Sequence, residues 1–598
     1  MRIRRNLTAA IASAVLAAAA LAGCTDSETA PSGATSTSSS TTTTAAVDAT
    51  LSAAQVLADN ESSHAAAGDS EYDESAVVDI TLNGGSATVG GGATGVTVDG
   101  STVTIAAGGT YRLTGTLTGQ VVVNAPDATV KLILAGATVT NSSGPAIAAT
   151  EGEKLVVILA GGSQNSLSDA SSYADDASAN AALYSAANLT IAGTGALTVK
   201  GNGNDGIASQ DGLVVESGTI TVTAVDDGIR GKDYLIVKGG TVTVTAGGDG
   251  LKADNSEDAA KGYVAVAGGT VKITAKGDGV DAATDLVVTG GTVTATTGGG
   301  SGTSPTDDPS TKGLKSAAIT VLEGGTVTVD ASDDAVHSDG SVHLNGATVT
   351  ASSGDDGIHA ESSIVVDGGT VEVASSVEGV EAKDILVNAG SVTVTASDDG
   401  INAAGGASSG GQGGGGEAVG DYSAVVTGGT VVIHSGGDGF DSNGTATISG
   451  GTVIVNNGPT GRGNGPIDIN GGLQMDGGVL LAAGTGMVGA PNADSGQGWL
   501  AASMDTTVPA GTTLHVVDGD GTVVATFVTS ETVQSVVYSS AAIKNGAQYQ
   551  LYAGGSASGD STGGLAQSGS LGSATSKVTA TAGTAPAGGG PGGGRPRR

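Results

Sequence analysis

Hydrophobic and polar residues alternate in short bursts along the middle of this chain. Thr219-Ile220-Thr221-Val222-Thr223 and Thr241-Val242-Thr243-Val244-Thr245 are typical, and helical spacing is absent between them. A period of two sends successive side chains to opposite faces of an extended strand, so each burst predicts a strand with one face in and one face out. The bursts belong to a longer phrase. An acidic turn ending in Asp-Gly-Ile or a near variant is followed by a short link, two or three aliphatic residues, Gly-Gly-Thr and then Val-x-Val.

The acidic position falls at Asp205, Asp227 and Asp249, and later at Asp334, Asp356, Glu378 and Asp399, at intervals of 22, 22, then 22, 22 and 21 residues. Longer gaps before Asp278 and Asp438 hold insertions at 254–262 and 404–420. A third insertion, 298–313, leads into Lys312, which places the opposite charge at the acidic position. The threonine after Gly-Gly keeps the same beat at Thr219, Thr241, Thr270, Thr292, Thr326, Thr348, Thr370, Ser391, Thr430 and Thr452.

A unit this short cannot bury its apolar face alone and must stack on copies of itself. The pattern predicts an all-β chain: a right-handed parallel β-helix of about 22 residues per coil. Residues 71–200 supply an N-terminal cap and the first coils, and 201–489 the regular repeats. Residues 490–555 leave the beat, with strand-like runs at Thr513 to Val517, Thr522 to Phe527 and Val533 to Tyr538. They predict an antiparallel β cap over the last coil, whose open edge would otherwise be exposed. Glycine is expected to supply positive φ at the corners, including the Asp-Gly turns, and each turn Asp to hydrogen-bond its own local backbone.

The ends differ in composition. Residues 1–23 begin with Arg2, Arg4 and Arg5, run through apolar Leu7 to Leu21 and stop before Cys24, the single cysteine among 598 residues. This segment resembles a bacterial lipoprotein signal peptide. The resemblance implies cleavage before Cys24, lipidation of Cys24, and a lipid-anchored protein on the extracellular face of the bacterial cell membrane. Residues 24–70 are rich in Ser, Thr and Ala and are expected to be a flexible tether. Residues 556–598 are expected to be a disordered Gly/Pro/Arg tail. One cysteine excludes a disulfide scaffold and a CxxC zinc module. A net charge of -36 disfavours nucleic acid as a partner and favours cations.

Stacked coils bring the turn carboxylates to about 4.8 Å from one another. Two such charges repel by roughly 3.5 kcal/mol at an effective dielectric near 20. Doubled acids at Asp226-Asp227, Asp333-Asp334, Asp355-Asp356 and Asp398-Asp399 intensify the problem. Oxygen-only donors at adjustable distances suit Ca²⁺ better than Mg²⁺ or Zn²⁺. The candidate ligands are Asp205, Asp226, Asp227, Asp249, Asp278, Asp333, Asp334, Asp355, Asp356, Glu378, Asp398, Asp399 and Asp438.

The order of turn variants adds a resemblance. Gly248-Asp249-Gly250-Leu251-Lys252-Ala253, Lys312-Gly313-Leu314-Lys315, Asp333-Asp334-Ala335-Val336-His337-Ser338, Asp355-Asp356-Gly357-Ile358-His359-Ala360 and Asp398-Asp399-Gly400-Ile401-Asn402-Ala403 follow one another. This series is similar to bacterial carbohydrate-binding domain-containing lipoproteins with a pectate-lyase-like, calcium-containing parallel β-helix. The resemblance implies binding of plant-wall polysaccharide, polygalacturonate-like or cellulosic, without catalysis, and Ca²⁺ on the acidic turns.

An outward column follows each turn: Arg230, Lys252, Asp281, Lys315, His337, His359, Glu381, Asn402 and Asp441. Its cations Arg230, Lys252, Lys315, His337 and His359 are expected to meet an anionic glycan. Trp499 is the only tryptophan and Phe occurs only at 440 and 527, so stacking on crystalline glucan has little to build on. The alternatives are a polysaccharide lyase working by calcium-assisted β-elimination, with Arg230, Lys252, Lys315 or Arg462 as base, and a structural surface adhesin.

Overall fold

Every alternating burst forms a strand, and each strand pairs in parallel with its equivalent one phrase later. In the computed structural model, which describes residues 47–586 apart from 93, 306–309, 406–418, 459–463 and 487–488, Thr219–Ala224 pairs with Thr241–Ala246, then Thr270–Ala275, Thr292–Thr297 and Thr326–Ala331. Thr219 lies against Thr241, Thr292 against Thr326, and Thr326 against Thr348. The 298–313 insertion therefore loops out and the register resumes unchanged.

Two further ranks of parallel strands complete each coil. Gly212–Val215, Tyr234–Val237, Tyr263–Val266 and Asp285–Val288 form one; Ile229–Gly231, Leu251–Ala253 and Val280–Ala282 form the other. The chain is a stack of coils, a parallel β-helix. Inward Val242, Val244, Leu235, Val237 and Leu251 join a single continuous core that runs from Ile80 to Val537. The signal peptide and Cys24 lie outside the described residues.

Glycine does two jobs, and the expectation for the Asp-Gly turns requires correction. Positive φ belongs to the second glycine of Gly-Gly-Thr, as at Gly240 (φ 84°), where a corner turns. The Asp-Gly glycines are not among the positive-φ residues. They are small because the coils stack there: the Gly228 N–H donates to Asp249 O at 2.8 Å. A Cβ on Gly228 would overlap Val244 Cγ1 and lie 2.6 Å from Gly250 O. Gly228→Ala must push either a core valine or the next coil's backbone, and is expected to lose about 3 kcal/mol of stability. Guanidinium unfolding measures it, and a loss under about 0.5 kcal/mol, the level of an ordinary surface change, would contradict close stacking.

The rank beginning at Gly212 is apolar on both faces. Leu213, Val215, Leu235, Val237, Val264 and Val266 point into the coil, while Val214, Tyr234, Ile236, Tyr263, Ala265 and Val287 point out and are also buried. A sheet apolar on both faces needs a cover on both, and residues 47–70 provide it. This corrects the expected tether over residues 47–70, and residues 24–46 of it lie outside the described residues. The helix Ala53–Asp59, started by a Ser52–Gln55 capping box, seats Ala53 and Val56 on the outer cluster. His64 Nδ1 lies 2.7 Å from the Tyr234 hydroxyl, Tyr263 O–H donates to Glu61 O at 2.7 Å, and His343 Nδ1 lies 2.8 Å from Leu51 O.

At the other end the last coil strand, Val479–Gly484, pairs antiparallel with Val533–Ser539, which also pairs with Trp499–Val508. A six-stranded antiparallel sheet follows, and it includes Ser556–Thr562, Leu565–Ser570 and Thr575–Thr581. Those three strands correct the expected disorder over residues 556–581, and residues 587–598 of that expected tail lie outside the described residues. Their Ser, Thr and Gly face solvent, while Leu565, Val578 and Ala580 pack against the cluster around Leu514 and Phe527.

Candidate functional site: the acidic edge

The turn acids lie at one corner of the stack, between the Thr-rich strands and the short strands such as Leu251–Ala253. Six of them use one carboxylate oxygen to hold the next coil. Asp227 Oδ1 accepts from the Asp249 N–H at 2.8 Å, Asp249 Oδ1 from the Asp278 N–H at 2.7 Å, and Asp278 Oδ1 from the Lys312 N–H at 2.7 Å. Asp334 Oδ1 accepts from the Asp356 N–H at 3.1 Å, Asp399 Oδ1 from the Asp438 N–H at 2.5 Å, and Asp438 Oδ1 from the Gly465 N–H at 2.6 Å. The partner is the backbone one coil on, in place of the local turn that the sequence suggested. These donors hold part of the ladder's negative charge without any cation. Of the doubled pairs, Asp226, Asp355 and Asp398 are exposed and Asp333 is half-buried, whereas Asp227, Asp334 and Asp356 are buried.

The outward column forms as expected, with Arg230, Lys252, Asp281 and Lys315 as successive register partners, then His337, His359, Glu381 and Asn402. Its cations turn toward the ladder. Lys252 Nζ lies 2.5 Å from Asp249 Oδ2 and 3.5 Å from Asp227 Oδ2. Lys315 Nζ lies 3.1 Å from Asp278 Oδ2, and Lys312 Nζ 2.8 Å from Asp334 Oδ2. His337 Nδ1 and His359 Nδ1 each lie 2.7 Å from Asp334 Oδ2 and Asp356 Oδ2 respectively. Arg230 instead donates twice to Asp254 Oδ2, at 2.9 and 2.7 Å, on the 254–262 insertion. Asp254, Asp339 and Glu361 are thus partners that the repeat pattern did not single out, while Asp281, itself in the column, pairs with Lys252 and Lys315.

Farther along, the compensation ends. Among the described residues no Lys, Arg or His forms an ion pair with Glu378, Glu381, Asp398, Asp399 or Asp438; Asn402 Nδ2 donates to Glu378 Oε2 at 2.7 Å. Burial raises most of the edge acids on both sides of this division, including Asp356, raised to about 7 beside His359. Burial together with Asp227 and Asp226 pushes Asp205 up to about 7. Burial raises Asp227 to about 6 despite Lys252. Burial would raise Asp334 too, but the His337 hydrogen bond and Lys312 hold it below the usual carboxylate range. His337 rises to about 9 because Asp334 and Asp339 outweigh its burial, and His359 rises for the same reason beside Asp356. Burial raises Asp399 to about 7 and Asp438 to about 6, and burial next to Glu378 raises Glu381.

The donor chemistry of two carboxylate groups fits a hard cation. Asp333, Asp334 and Asp355 bring oxygens within 4.8 Å of one another, as do Asp438, Asp441 and Asp468. Lys312 already stands on the first, 3.0 Å from Asp333 and 2.8 Å from Asp334.

Part of the chain is similar to proteins described as carbohydrate-binding. Residues 99–357 match the family described as carbohydrate-binding domain-containing protein, which agrees with the carbohydrate-binding part of the resemblance over that stretch. A carbohydrate-binding domain-containing protein of Acetivibrio thermocellus is 36% identical over 136 residues, which is 22% of this chain and 48% of that protein. The chain thus spans about half the length of this relative. A solved structure described as a polysaccharide lyase-like protein from C. thermocellum, in a gadolinium derivative, is 34% identical over 37% of this chain and 92% of its own, with a TM-score of 0.36.

Proposed function

We propose that this protein is a surface-anchored, calcium-dependent polysaccharide-binding module without catalysis, for plant-wall glycans of the polygalacturonate type first and cellulosic glycans second. In this reading Cys24 carries the lipid, the coils are right-handed, and the glycan runs along the acidic edge with Ca²⁺ between protein and uronate carboxylates. The observation that supports it is the uncompensated stretch from Glu378 to Asp438. There the carboxylates stack in register, the acidities of Glu381, Asp399 and Asp438 are weakened by burial and by neighbouring carboxylates, and the column offers no cation. Bound Ca²⁺ would be held by Glu378, Asp399 and Asp438 and would supply positive charge for the uronate.

Elimination chemistry needs a base with a free lone pair. Arg230, Lys252 and Lys315 are each held as cations by carboxylates, and Arg462 lies outside the described residues. That disposition weighs toward binding and against a lyase. Thermal unfolding of the full chain provides the test, because ligands of the native state raise its midpoint by mass action. The midpoint is expected to rise with Ca²⁺ and again with polygalacturonate. A calcium response with no polymer response would leave an adhesin, and release of unsaturated uronate would establish a lyase.

A further inference from the structure

The outward column changes chemistry at three consecutive coils. His337, His359 and Glu381 are register partners on neighbouring strands, and the two imidazole rings lie with centroids 5.0 Å apart and planes tilted by 35°. Elsewhere in the described column the side chains are Arg, Lys, Asp or Asn. Ligand atoms of Asp334, His337 and His359 fall within 4.8 Å of one another, and so do those of Asp356, His359 and Glu381. His359 belongs to both groups.

Each imidazole is held in the same way. Nδ1 faces the ladder acid three residues earlier, at 2.7 Å for both Asp334 with His337 and Asp356 with His359. Nε2 faces a carboxylate two residues later: Asp339 at 3.0 Å from His337 and Glu361 at 3.8 Å from His359. For His337 the Asp339 carboxylate hydrogen-bonded to the outer nitrogen fixes the ring and raises the basicity of the inner one, which is how metal-ligating histidines are supported, whereas Glu361 stands beyond hydrogen-bond distance of His359 Nε2. Lys312 neutralises Asp334 from the neighbouring coil, which leaves Asp356 and Glu381 as carboxylates with no ammonium paired to them among the described residues. Two imidazoles and carboxylates form a mixed nitrogen and oxygen donor set, which suits a borderline divalent transition ion and not Ca²⁺.

We propose that the two overlapping groups Asp334, His337, His359 and Asp356, His359, Glu381 bind one Zn²⁺-class ion through the shared His359, at a site separate from the oxygen-only edge that follows it. This inference does not depend on calcium or glycan binding. If the histidines serve only as cations, as Lys252 and Lys315 do, then a lysine would replace either one and zinc would have no effect.

The test uses untagged full-length protein in saturating Ca²⁺, titrated with Zn²⁺ by calorimetry and with Co²⁺ by visible absorption. One ion per chain and a Co²⁺ spectrum of nitrogen and oxygen ligation are expected. His359→Gln should weaken Zn²⁺ binding at least about tenfold, while His434→Gln, in the strand Thr430–Ser435, should leave it unchanged. His359→Lys should keep the fold but abolish the Co²⁺ spectrum, which keeps the test valid if His359→Gln does not fold. No Zn²⁺ or Co²⁺ uptake in the presence of Ca²⁺, or uptake unchanged in both His359 variants, would overturn the site.

Discussion

In a chelator, the protein is expected to melt at a lower temperature at pH 8 than at pH 5, and millimolar Ca²⁺ at pH 8 is expected to recover the difference. The sign comes from the raised carboxyls. Asp205 and Asp399 titrate at about 7 and Asp438 at about 6 in the folded chain, against an ordinary value near 4 in the unfolded chain. Between those values the folded state holds more protons than the unfolded state, so stability falls as pH rises through the window. A tenfold weakening of one acid corresponds to roughly 1.4 kcal/mol, and solvent screens the half-buried Asp399 and Asp438 below that figure. Together the three groups carry an effect on the order of several kcal/mol. Buried histidines oppose this over the lower part of the window: burial lowers His64 to about 4, and lowers His434 and His515 too, so their contribution to stability rises with pH up to the ordinary histidine value near 6.5, and the raised carboxyls are expected to outweigh it. Asp334, held low by His337 and Lys312, loses its contribution only in more acidic solution, and His337, raised to about 9, adds to the fall because its stabilisation declines as pH rises from about 6.5. Calcium binds the ionised form, so its effect should be large at pH 8 and small at pH 5. Scanning calorimetry at both pH values checks this, and a midpoint that climbs from pH 5 to pH 8 in chelator would contradict it.

The second large effect belongs to Lys252. Its ammonium stands among Asp249 at 2.5 Å, Asp227 at 3.5 Å and Asp281 at 3.7 Å, all partly buried. Lys252→Met keeps most of the side-chain volume and removes the charge, leaving three carboxylates facing one another. Breaking such a pair from one side costs about 3 kcal/mol. The loss should be full at pH 8 and much smaller at pH 5, since the orphaned acids can take up protons. Calcium should recover part of it at pH 8, because the variant reproduces the uncompensated chemistry of the Glu378–Asp438 stretch. Denaturant unfolding at the two pH values separates charge from packing. An equal loss at both would mean that the aliphatic stem of Lys252, and not its charge, holds the coils.

The fold was legible because two landmarks kept one beat. The Asp-Gly-Ile turn and the Gly-Gly-Thr corner repeat independently, and strands that alternate Thr and Val have no other way to bury the valines. The ends were less legible for a physical reason. Residues 47–70 carry few apolar side chains, but those few dock on an outer face whose apolarity was written elsewhere, in the non-alternating runs Leu213-Val214-Val215 and Tyr234-Leu235-Ile236-Val237. Ser556–Thr581 reads as disordered because an exposed antiparallel sheet needs few core residues. At the edge, residue types placed the acids and the column correctly in space. Their partners were hidden, since an Asp227 oxygen bonded to the Asp249 N–H, or Arg230 bonded to Asp254, depends on coil stacking and on an insertion outside the repeat.

Calcium-bridged recognition is tested most directly by isothermal titration of the full chain with oligogalacturonate, once in Ca²⁺ and once in chelator. Saturable binding in Ca²⁺, absent in chelator and lost when Glu378→Gln, Asp399→Asn and Asp438→Asn are combined, is the expected result. Equal binding in the two buffers, or none in Ca²⁺, would contradict it.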